Sequence, residues 1–143
     1  VLHKSFAHII VPPMDDVVYS VEGDFNIGVI VSISSHERTR ICGTNLPINA
    51  LMMVEVVEVI VYAITQINLD KTLLPNMKLG FVILDACKKT QAAVFQAMRF
   101  LPQSNPDDYK VSNTPGLLHS FDVIGVIGTD ESHTTIPVSH LLG

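Results

Sequence analysis

Ile48 to Cys87 reads INALMMVEVVEVIVYAITQINLDKTLLPNMKLGFVILDAC, and its reading decides the fold. Glu55, Glu58, Tyr62, Thr65 and Gln66 recur at spacings of three and four, which makes them one narrow stripe of a helix. The residues around that stripe are almost all apolar, from Leu51 and Met52 through Val59, Ile60 and Val61 to Ile64. A strand would put Glu55 and Glu58 on opposite faces, and the run is too long for one. The spacing therefore predicts a helix over 48–68, covered on more than one side. A membrane span is disfavoured, because each glutamate would cost about 2–3 kcal/mol at a bilayer centre. Asn68-Leu69-Asp70 and Leu74-Pro75-Asn76 end the helix. Leu79 to Leu84 is then a nearly continuous apolar run that closes on Asp85. Such a run suits a strand buried on both faces, as in a parallel sheet, so a strand is expected over 78–85.

The same logic extends outward. Gly23-Asp24-Phe25 opens a second strand, apolar almost throughout, that runs to Ile33. Gln91 to Phe100 places Ala93, Val94, Ala97, Met98 and Leu101 on one helical face, which predicts a helix over 90–101 ended by Pro102. Asp122 to Gly128 reads as a third parallel strand, followed by a helix start near Ser132. The N-cap is Ser132, Thr134 or Thr135, and Pro137 is expected in the first turn. The alternation of strand and helix predicts an α/β layer: a partial Rossmann-like parallel sheet with flanking helices and right-handed crossovers. Residues 1–22 hold Pro12-Pro13 and Asp15-Asp16 with no sustained period, and read as a loosely ordered lead-in to one domain over 23–143. Breakers and turn formers crowd the segment from Gln103 to Ser120, which reads as a long exposed loop.

Composition narrows the function classes. The chain has 143 residues, 48% of them hydrophobic and 16% charged, so it can bury a core and is not a disordered tail. A net charge of -5 with no basic block excludes a nucleic-acid stripe. The two cysteines, Cys42 and Cys87, leave a bridge and a pair of buried thiols equally open. No cofactor or metal is expected. The histidines lack zinc-ligand spacing, Gly125-x-x-Gly128 lacks the third glycine of a dinucleotide loop, and no Gly-x-Ser-x-Gly elbow supports a Ser132–His133 hydrolase. The segment Ser32-Ile33-Ser34-Ser35-His36 is a poor flavin or phosphate loop, which argues against a flavodoxin-like enzyme.

One ordered series of motifs is more specific. Cys42-Gly43, Ala63-Ile64-Thr65-Gln66-Ile67-Asn68, Leu73-Leu74-Pro75-Asn76, Leu79-Gly80 and Asp85-Ala86-Cys87 succeed one another after the Gly23-Asp24 start. The series resembles the ligand-binding ectodomain of class C G-protein-coupled receptors, the family of the metabotropic glutamate, calcium-sensing and pheromone or taste receptors. The resemblance covers residues 23–143. It implies a periplasmic-binding-protein-like type I fold, of which this chain is the N-terminal part of lobe 1. The missing second lobe would complete a clamshell whose closure on an amino-acid-like ligand drives G-protein signalling. It also implies that Cys42 pairs with Cys87, and that the chain belongs on the extracellular face of the plasma membrane. Any membrane contact would come from segments absent here, so the fragment itself is expected to be soluble. Dimers are expected through residues 48–68 and 90–101. An alternative from another class is a soluble or natriuretic-type solute-binding domain of the same fold.

The expected ligand-binding residues are Ser132, Glu131 and His133. They lie where a strand's carboxyl end meets a helix N-terminus, the usual ligand edge of an open α/β sheet. Free backbone N–H groups and a serine hydroxyl there suit the carboxylate of an amino acid, and the family's serine at the position of Ser132 has that role. Ser132 as a helix cap is the bland alternative, compatible with the first. Asp130 and Glu131 stand where the family has small residues, so Glu131 is placed to meet an ammonium or a cation. The arginine by which glutamate receptors hold the ligand's side-chain acid aligns near Val56, and no arginine occurs in that helix. Glutamate is not the favoured ligand.

Overall fold

The computed structural model describes residues 17–34, 50–102 and 121–143. Cys42, the Gln103–Ser120 loop and most of the expected lead-in lie outside them. In chain order the elements are β1 (Val17–Val21), β2 (Phe25–Val31), α1 (Ala50–Leu69), β3 (Leu79–Asp85), α2 (Thr90–Met98), β4 (Gly125–Ile127) and α3 (Ser132–Leu142). The sheet order is β1-β3-β2-β4. Strands β2, β3 and β4 are mutually parallel: Phe25 to Val31 register with Leu79 to Asp85, and Ile27 to Val29 with Gly125 to Ile127. The expected α/β layer is present, and its three parallel strands end at one edge.

The apolar runs of β2 and β3 have a simple cause: each face of the sheet is covered. Val29, Val31, Ile33, Phe81 and Ile83 point to one face, where Val57 and Ile64 of α1 meet them. Ile30, Val82, Leu84 and Ala86 point to the other, against Ala93, Ala97 and Phe100 and against Val138 of α3. Burying one such aliphatic side chain contributes about 1.5–3 kcal/mol.

Four features differ from the sequence expectations. The end of the lead-in is ordered: Val17–Val21 is a strand, antiparallel to β3, with Tyr19 edge-on to Phe81 at 5.3 Å. The strand gains a partner edge, and Tyr19 and Val21 an apolar face, only when β3 is in place, so no local period announces them. Among the described residues, helix α1 is covered on one side. Met52, Val56, Val59, Tyr62 and Leu69 are exposed, whereas Glu58 of the polar stripe is half-buried. Its Met52–Leu69 window is long and apolar enough to cross a membrane, yet Val57 and Ile64 are seated in the core. Helix α2 ends at Met98, and Arg99 to Leu101 continue as tighter turns. Pro137 lies inside α3 rather than in its first turn, because the helix already begins at Ser132.

The amino-terminal edge of the sheet explains much of the motif series. Gly23, between β1 and β2, and Gly80 of β3 lie so close that a methyl on either would overlap the backbone of the other. Asp24 N–H donates to the Lys78 carbonyl at 2.8 Å, and Lys78 N–H returns a bond to the Asp24 carboxylate at 2.7 Å. Asn68 completes the latch. Its side chain accepts from Leu79 N–H at 2.7 Å and donates to the Leu79 carbonyl at 2.8 Å. The amide thus stands where β1, whose pairing ends at Val21–Phe81, would otherwise supply a residue.

Candidate functional site

The carboxyl-terminal edge gathers the exits of β2, β3 and β4. Helices α2 and α3 pack side by side on one face and both begin at this edge, so their N-terminal N–H groups open beside it. An open α/β sheet takes ligands there.

Ser132, Glu131 and His133 come together at the start of α3. The N-cap is Glu131, in extended conformation and without a side-chain cap, so none of the three hydroxyl candidates holds that position. Ser132 is the first helical residue and is exposed. Helical Cα–Cβ bonds tilt toward the N-terminus, so a side chain at that position leans toward the open end of the helix. His133 Nε2 lies 3.3 Å from Glu131 Oε2, an ion pair when the histidine is protonated. The pair is open to water, with side chains 63% and 37% exposed, so it orients the two groups more than it stabilises the fold.

The turn is stiffened from within. Thr129 Oγ1 lies 2.5 Å from Thr134 Oγ1 and 2.7 Å from Thr135 Oγ1. The Glu131 carbonyl accepts from the Thr134 hydroxyl at 2.7 Å and the Thr135 hydroxyl at 2.9 Å, besides their backbone N–H groups. Thr134 is fully buried. This cluster braces the turn through the Glu131 carbonyl, and no side chain caps the helix N–H groups. The Ser132 side chain is left exposed.

The neighbouring tips carry groups to which sequence pattern alone assigns no role. Asp85 is buried at the end of β3. Its Oδ1 accepts from Ile33 N–H at 3.1 Å and Cys87 N–H at 2.9 Å, and its Oδ2 from Ser34 N–H at 3.2 Å and the Ser34 hydroxyl. Gln96 of α2 donates to the Asp85 carbonyl at 3.0 Å, and Arg99 Nη1 donates to Gln96 Oε1 at 2.9 Å. The signal for this network was one acidic residue closing an otherwise apolar strand. Ser32 is buried at the end of β2, with no hydrogen-bond partner for its Oγ among the described residues. Cys87 lies on this same edge, is buried and has no free thiol. Among the described residues no cluster of histidine, cysteine, aspartate and glutamate is arranged to hold a metal.

Known proteins match this chain over most of its length. The sequence model of one family, described as "Receptor family ligand binding region", matches residues 55–143. Metabotropic glutamate receptor 8 of Homo sapiens and that of Rattus norvegicus are each 34% identical over 128 residues, which is 85% of this chain. The chain spans 14% of the length of those relatives. These matches agree with the resemblance to class C receptor ectodomains. The matched family and proteins are receptors rather than enzymes.

Proposed function

Because this chain belongs to the receptor family ligand binding region, we propose that it is the N-terminal part of lobe 1 of a class C receptor's extracellular domain. Residues 23–143 are that part, with β1 as an added edge strand. The ligand is an amino acid or a similar small molecule, held at the carboxyl-terminal edge of the sheet. Ser132 and the first N–H groups of α3 bind its carboxylate, and Glu131, oriented by His133, meets its ammonium. The observation that carries this reading is the first turn of α3, where no side chain caps the helix and Ser132 is exposed. The acidic residues Asp130 and Glu131 disfavour a second negative charge, so a zwitterion without an acidic side chain suits the site better than glutamate. Cys42 bridges to Cys87, and the exposed apolar side of α1, with α2, seats a second receptor subunit. Closure of a second lobe over the ligand shifts the clamshell population and signals through a G protein.

Isothermal titration tests the reading. The 143-residue chain with common amino acids should give no saturable heat. A longer polypeptide that adds the second lobe should bind, and Ser132→Ala in it should weaken binding at least tenfold. Unchanged affinity in that variant overturns the site. A sequence that ends without membrane spans, or that continues into a cyclase, would favour a soluble or natriuretic-type binding domain of the same fold.

A further inference from the structure

We propose that Asp85 is a positioning residue that presets Cys87 for its bridge and so holds the rim of the ligand edge in place. The inference rests on the proposed Cys42–Cys87 pairing.

Asp85 is 6% exposed and is ringed by donors: Ile33 N–H, Ser34 N–H, the Ser34 hydroxyl and Cys87 N–H. An ionised carboxylate only accepts hydrogen bonds, and it has enough lone pairs for all four. Three of those donors belong to the exit of β2 and the fourth to the exit of β3. One side chain therefore ties together two neighbouring parallel strands just past the end of their ladder. The backbone adds one bond beyond the strands, from Ala86 N–H to the Val31 carbonyl at 2.7 Å.

The turn after Asp85 needs such a tie. Cys87 and Lys88 are successive non-glycine residues with φ of 50° and 53°, in the left-handed region that side chains disfavour. Such a conformation persists where its surroundings over-determine it. The Asp85 bond to Cys87 N–H is the nearest of those constraints, and the Lys89 N–H bond to the Ala86 carbonyl at 2.9 Å closes the turn behind it. A hydrogen-bonded turn thus holds the backbone from which the Cys87 side chain leaves. The part of the chain that contains Cys42 follows Ser34, which the same carboxylate holds.

The chemistry is ordinary thiol–disulfide exchange. One protein thiolate attacks oxidised glutathione, its S–S bond breaks and one glutathione thiolate leaves. The second protein thiolate then attacks the protein sulfur of that mixed disulfide and releases the other glutathione. Two protein thiols are oxidised and one glutathione disulfide is reduced to two thiols. A preset Cys87 raises the effective concentration of one thiol toward the other.

The test equilibrates the 143-residue chain with glutathione buffers and counts alkylated cysteines by mass spectrometry. Asp85→Asn keeps the shape but turns one acceptor oxygen toward donors as an NH2 group. It should lower the effective thiol concentration at least tenfold. Ser34→Ala leaves the carboxylate and removes one donor, and should give a smaller drop in the same direction. It decides the question if Asp85→Asn does not fold. Asp24→Asn, which removes a comparable carboxylate bond at the opposite edge, should lower thermal stability without moving the thiol equilibrium. An Asp85→Asn value within threefold of the native chain, or an equal drop in Asp24→Asn, overturns the positioning role while the bridge stands. Two free thiols in the native chain at oxidising poise overturn the bridge itself, and this inference with it.

Discussion

Replacing Asn68 by alanine removes a residue that acts as a piece of strand. Its side-chain amide makes two bonds to the Leu79 backbone, at 2.7 and 2.8 Å, from a half-buried position. Each such bond contributes about 1 kcal/mol net, and a buried group left without a partner costs about 1–3 kcal/mol. Leu79 is itself buried, so water replaces the lost partner poorly. The expected loss is about 2–3 kcal/mol. With a urea slope of about 1–3 kcal/mol/M for a small domain, the midpoint should fall by about 0.7–3 M with the slope unchanged. Asn68→Asp is a sharper variant. It keeps the acceptor for Leu79 N–H but turns a second oxygen toward the Leu79 carbonyl. That carboxyl is favoured in its protonated form, which raises its folded-state pKa above the unfolded value. The variant should therefore be most stable below the unfolded value and lose stability as pH rises through the folded one. Urea melts of both variants from mildly acidic to neutral pH check this. A loss below about 0.5 kcal/mol in Asn68→Ala, or no pH dependence in Asn68→Asp relative to the native chain, would show that Asn68 is not the latch described.

Other sites give further outcomes. Gly80→Ala places a methyl among the Gly23 amide, the Val21 carbonyl and the Asn26 side chain, so it should cost about 3 kcal/mol and detach β1, read as lost amide protection over 17–21. The Asp70 carboxyl lies below the usual carboxylate range because the Thr72 hydroxyl and then the Thr72 N–H donate to it. A depressed carboxylate contributes stability above its unfolded pKa and loses it as pH falls through the folded value. Thr72→Val should return Asp70 toward the ordinary value in an NMR titration and shrink that acid-side loss. Val59→Glu on the exposed side of α1 should change stability by less than about 0.5 kcal/mol, yet abolish self-association in sedimentation equilibrium if α1 is the subunit contact.

Much was legible in the chain itself. The two apolar runs ending at Val31 and Asp85 announced strands covered on both faces, because only a doubly covered strand tolerates such a run. The three- and four-residue spacing through Glu55, Tyr62 and Gln66 announced α1 against its own β-branched propensity. The junction of the last strand with α3 marked the carboxyl-terminal edge of the sheet, since the parallel strands all end there. Each of these rests on period and burial, which are properties of the residues in order.

Other features exist only through contacts between distant segments. Residues 17–21 become a strand because β3 offers a free edge and Phe81 receives Tyr19. The start of α3 is braced by three threonines where one capping hydroxyl was expected, because Thr129 reaches the helix from the strand side. Asp85 reads as a strand's polar end, but 51 residues separate it from Ser34, and the parallel register alone brings the two together. The sequence determines which side chains need cover and which need partners. The tertiary structure decides who the partners are, because hydrogen bonds act over about 3 Å and chain order does not record which ends will meet.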